Sequence, residues 1–114
     1  MKEKQLSYNL LVICKMAYND LRKLNFQWGI QAEICREYAV KYGIKCDALY
    51  EYVSHLKFNY GLNKASFKTE EKYKLFIQLI KDLEIYELEE LLSVINNNNK
   101  NFDLVKYLSD KKDN

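Results

Sequence analysis

The sequence predicts an all-α domain, a compact bundle of about five helices. Three observations carry that expectation. The 114 residues contain no proline and only three glycines, so few positions break a helix. Apolar residues recur at three- and four-residue steps through most of the chain, the spacing of one helix face. No stretch alternates cleanly between apolar and polar residues, as a half-buried strand would. The length suits one domain with a modest core. Residues 1–109 are therefore expected to form a single helical domain, with 110–114 as a frayed tail.

The first helix is expected from about Gln5 to Leu24, with Leu6, Leu10, Ile13, Met16 (or Ala17), Leu21 and Leu24 inward. Lys15, Asn19, Arg22 and Lys23 fall on its polar face. In the connection that follows, Trp28 is expected to pin the loop to the core. The second helix runs from Ile30 to Tyr42. Gly43 ends it, because glycine takes a positive φ without a Cβ clash. The third begins at Cys46 or Asp47 and carries Leu49, Tyr52, Val53 and Leu56 on one stripe. Asp47 in its first turn suits the helix dipole. His55 is expected at its boundary or surface.

Gly61 and two asparagines mark residues 57–66 as a loop, with a short wing over 58–67 as the alternative. Thr69 is expected to cap a fourth helix carrying Tyr73, Phe76, Ile77 and Ile80. The apolar phase slips at Asp82–Tyr86, so a fifth helix is expected from there to Ile95. After the polar run Asn96–Asn101, Phe102, Val105 and Leu108 fit one or two more turns.

Charge is uneven along the chain. Residues 1–64 carry ten Lys/Arg against six Asp/Glu, net +4, and residues 65–114 carry eight against ten, net −2. A basic half suits an anionic partner. Three scattered cysteines, an odd count, and no secretory cleavage pattern point to reduced thiols in the cytoplasm. No apolar run is long enough to span a membrane. The abundant Lys, Asn, Ile and Tyr match AT-rich coding sequence, as in a low-GC bacterium and its phages or plasmids.

Little here suits catalysis. His55 is the only histidine and no CxxC occurs, so neither a metal nor another cofactor is expected. The three glycines are scattered and make no phosphate loop. Glu84, Glu87, Glu89 and Glu90 read as a solvated acidic face. The chain is not expected to be an enzyme.

Residues 35–54 carry a more specific pattern. Tyr38 fills an apolar slot before the small residue Ala39. Gly43 follows four residues later, then Ile44, and Leu49 and Tyr52 lie three apart. This pattern is similar to the helix-turn-helix of bacterial and phage DNA-binding proteins. The resemblance implies that the second helix of the pair enters a major groove. It places Lys45, Cys46, Asp47, Tyr50, Glu51 and Ser54 on the groove-facing side, with Lys57 beyond them. Lys41, Arg36 and Lys64 would lie near the DNA backbone. Asp47 and Glu51 depart from the family's usual chemistry. Both repel phosphates, although a carboxylate can accept from a cytosine amino group.

The implied function is a small DNA-binding regulator or accessory factor of a phage, plasmid or low-GC bacterium, with duplex DNA as partner. The alternative is a protein-interaction module that keeps the shape, such as a phage- or plasmid-encoded inhibitor of a host protein. Asp47, Glu51, the many tyrosines and the acidic run Glu84–Glu90 favour it. An RNA-binding domain is a third reading, without a module signature to support it. The apolar face of residues 69–95 serves either as core or as a homodimer interface.

Overall fold

The computed structural model describes residues 7–62, 70–97 and 104–112. They form six helices with no strand among them: α1 (Tyr8–Lys23), α2 (Ile30–Tyr42), α3 (Cys46–Asn59), α4 (Glu71–Leu79), α5 (Ile85–Asn97) and α6 (Leu104–Lys112). The fold is all-α, as expected. The sixth helix is the C-terminal segment expected as a turn or two, and its helical backbone continues past Ser109. Phe58 and Asn59 belong to α3. Tyr60, Gly61 and Leu62 follow as a turn. Glu70 holds the N-cap position of α4, which corrects the expected Thr69 cap. The rest of the expected wing, with Lys64, and Thr69 itself lie outside the described residues.

α1 starts at Tyr8 because Ser7 caps it, accepting from the Leu10 N–H at 3.2 Å. Every residue from Leu11 to Asn19 is buried. A surface helix hides only one stripe. α1 hides all sides because α2, α3, α4 and α5 pack around it. Past its last turn Leu24, expected inward, is left exposed at the C-cap. Two hydrogen bonds set the direction of α5. Asn9 Nδ2 donates to Asn96 Oδ1 at 2.9 Å, and Asn19 Nδ2 donates to the Leu83 carbonyl at 2.9 Å. The start of α1 thus meets the end of α5, and the two run antiparallel. α6 packs on α4, burying Leu104 and Leu108.

This enclosure corrects the reading of Lys15 and Asn19 as a polar surface. Both are buried. Lys15 Nζ donates to Asn19 Oδ1 at 2.5 Å and lies 4.9 Å from the Tyr18 ring centroid and 5.6 Å from that of Tyr60. A buried ammonium survives only with such partners. Burial pulls its pKa down to about 8, helped by Arg22 and opposed by Asp82 and Glu84.

The apolar face of α4 and α5 is largely spent on the core. Phe76, Ile77, Ile80, Leu88, Leu91 and Leu92 are buried, while Leu75 and Tyr86 are exposed. The expected phase slip is a real break: α4 ends at Leu79, and α5 restarts at Ile85. Glu87 Oε1 accepts from the Glu84 N–H at 2.9 Å and so satisfies one of the donors at the new helix start. Among the described residues no helix is long and apolar enough to cross a membrane.

Lys15 gives the fold a pH signature. Below about pH 8 folded and unfolded chains both carry its proton, and the full cost of burying charge is present. Between about pH 8 and the unfolded value near 10.4, the unfolded chain binds more protons, so that cost is lost as pH rises. The stability of the natural protein relative to Lys15→Met should therefore rise over that window, by on the order of 2–3 kcal/mol. Thermal unfolding of both proteins at about pH 7 and about pH 10 measures it. A difference that stays constant with pH contradicts the assignment.

Candidate functional site

α2 and α3 form a corner joined by Gly43, Ile44 and Lys45 alone. Gly43 sits at φ 67° and ψ 36°, in the left-handed region. A Cβ there would meet nothing within 4 Å, so backbone conformation, not space, selects glycine. The Ile44 N–H donates to the Ala39 carbonyl at 3.0 Å and closes the helix end. α1 packs on both α2 and α3, which also pack on each other. Tyr38 Oη donates to Asp20 Oδ2 at 2.7 Å and Tyr42 Oη to Met16 Sδ at 3.6 Å, fixing α2 on α1. Leu49, Tyr52, Val53 and Leu56 face inward as the stripe predicts.

His55 is also buried, against the Tyr52 ring at 5.6 Å, which corrects its expected surface position. Burial lowers its pKa, with Glu51 acting in the opposite sense. Cys14 and Cys35 are buried between the same helices, and burial holds both thiols protonated, Cys35 pushed up to about 12.

The sequence-assigned residues fall into two groups. Lys45, Asp47, Tyr50 and Glu51 on the α3 side, with Arg36 and Lys41 on α2, are exposed. Cys46, Ser54 and Lys57 are half-buried. The structure ties the last two to Gln31, a buried residue that periodicity gave no reason to single out. Gln31 Nε2 donates to the Tyr50 carbonyl at 3.2 Å and to Ser54 Oγ at 3.3 Å, and Gln31 Oε1 accepts from Lys57 Nζ at 2.6 Å. One amide thus pins the C-terminal half of α3 to the start of α2.

Charge on this corner is balanced. Residues 30–59 carry Arg36, Lys41, Lys45 and Lys57 alongside Glu33, Glu37, Asp47 and Glu51, four cations and four carboxylates. The net +4 of the first 64 residues therefore comes from elsewhere in that half, including the buried Lys15. Among the described residues no group of three His, Cys, Asp or Glu side chains is placed to hold a metal ion.

Trp28 reverses its expected role. It is 99% exposed. Asn25 and Phe26 both take positive φ, 57° and 53°, and the Phe26 N–H returns to the Leu21 carbonyl at 2.8 Å. That sharp reversal swings Phe26 onto Tyr18, ring centroids 5.3 Å apart. Phe26 occupies the anchoring slot, and the next aromatic is left outside. Trp28 borders a cleft of about 240 Å³ with Phe26, Gln31, Tyr50 and Lys57. Tyr50 is 45% exposed at its edge, and Val40 on α2 is 80% exposed.

No protein-family model matches the chain, and no curated protein or solved structure matches it either.

Two measurements check this geometry. Trp28 is the only tryptophan, so its fluorescence reports one position. Its emission and acrylamide quenching should match those of free N-acetyltryptophanamide. A blue-shifted, protected signal would place the ring in the core instead. Gln31→Ala should cost about 1–3 kcal/mol in denaturant unfolding, because the Lys57 ammonium and the Tyr50 carbonyl lose a partner. No loss would mean that the amide is not a structural tie.

Proposed function

We propose that the α2–α3 corner is a helix-turn-helix and that the chain is a small DNA-binding protein, a regulator or accessory factor of a phage, plasmid or low-GC bacterium. The supporting observation is the corner itself. α3 is fixed from inside by Leu49, Tyr52, Val53 and Gln31, while Lys45, Asp47, Tyr50 and Glu51 stand exposed on its other side. This is the presentation that docking in a major groove requires. Arg36, Lys41 and Lys45 are the exposed cations available for phosphates. With the carboxylates opposing them, affinity leans on base contacts and on two copies reading two half-sites. A homodimer through α4 and α5 would use Leu75 and Tyr86, since the rest of that face is core.

A second reading is a protein-interaction module, such as an inhibitor that occupies a host protein. Trp28 favours it. Exposed Trp and Tyr beside a cleft are the residue types that dominate protein-binding energies, and a neutral corner does not repel a protein surface.

Fluorescence anisotropy with duplex DNA separates the two. With about three phosphate contacts, affinity should fall roughly 40-fold between ~50 mM and ~200 mM salt. Lys45→Ala should weaken binding and lower the salt slope by about one unit. Absence of binding at ~50 mM salt removes DNA as the partner and leaves the protein-docking reading.

A further inference from the structure

An open groove of about 510 Å³ lies on the other side of the corner, between the start of α1, the α2–α3 connection and the end of α5. Its apolar lining is mainly aliphatic: Leu10, Ile13, Ile44, Ala48 and Leu92. Lys45 stands at its rim, and among the described residues no carboxylate lines it. Lys45 and Ala48, from the start of α3, line the groove, so the positive end of that helix lies at it, and no side chain caps that turn. Asp47 is in that turn but does not line the groove.

We propose that this groove binds a small monocarboxylate with an aliphatic tail. The volume is that of a small-molecule site. The lining offers the tail an apolar surface to replace water. Lys45, the one cation among the described lining residues, selects the head group. An amine would meet Lys45 and the α3 dipole with the wrong sign. Inorganic phosphate lacks the apolar body that the lining rewards. Tyr50, Glu51 and Ser54 do not line the groove, but Lys45 does, so the site shares one cation with the face proposed for DNA. An occupant would touch Gly43, Ile44 and Lys45, the residues that set where α3 begins.

Amide NMR titrations with octanoate, octanol and octylamine test this on the full chain. Octanoate should bind saturably, one molecule per chain, and shift the Ile13, Gly43, Ile44, Ala48 and Leu92 amides. Octanol should bind about threefold more weakly, the worth of one exposed charge contact, and octylamine more weakly still. Lys45→Gln alters an exposed side chain and should bring octanoate down to the level of octanol. Ala48→Phe should fill the groove and weaken binding of all three. The proposal is overturned if octylamine binds as well as octanoate, if Lys45→Gln leaves the preference intact, or if the shifts lie elsewhere. It is also overturned if concentrating the protein alone moves the same amides, which would put a second copy in the groove.

Discussion

Nine consecutive residues of α1, Leu11 to Asn19, are cut off from water. Four other helices must stay in place to keep them so, and the rest of the structure depends on that enclosure. The balance favours it despite the charge inside. Leu11, Val12, Ile13 and Met16 together are worth on the order of 10 kcal/mol in buried side chains, an upper figure because unfolded chains are partly compact. The lowered pKa of Lys15 corresponds to a cost on the order of 3 kcal/mol. Apolar burial wins, and the ammonium goes inside with Asn19 and two tyrosine rings as its local solvent.

The same helix positions the corner. α1 supplies Met16 and Asp20 to the two tyrosines of α2, and its C-terminal reversal throws Phe26 inward and Trp28 outward. α2 and α3 therefore rest on a rigid support, with Gln31 locking them together. A surface held this way loses little conformational freedom on docking, which preserves affinity. What it docks is set by its chemistry: four cations, four carboxylates and exposed aromatic and apolar residues flanking one helix.

Much of the fold was legible in the sequence. The bounds of α2, the stripe on α3, the glycine stop at Gly43 and the break before Ile85 are local features, and local rules locate them within a few residues. α1 was legible as a helix but not as a buried one. Periodicity assumes that polar positions seek water, and Lys15 and Asn19 do not, because neighbours distant in sequence close over them. Trp28 and His55 failed for related reasons. Phe26 and Trp28 competed for one slot, and only the backbone reversal decides which enters. The candidate site was half legible. Its exposed residues follow from helix phase, but the Gln31 tie joins residues 19 to 26 positions apart. The local charge balance was likewise hidden by counting charge over half the chain.

Native-state hydrogen exchange along α1 tests the central claim most directly. Amides from Leu11 to Asn19 should exchange only through global unfolding, with a free energy equal to that from denaturant melts, while α6 exchanges by smaller openings. If those α1 amides open at lower free energies than the buried amides of α3 and α5, α1 is not the support on which the corner stands.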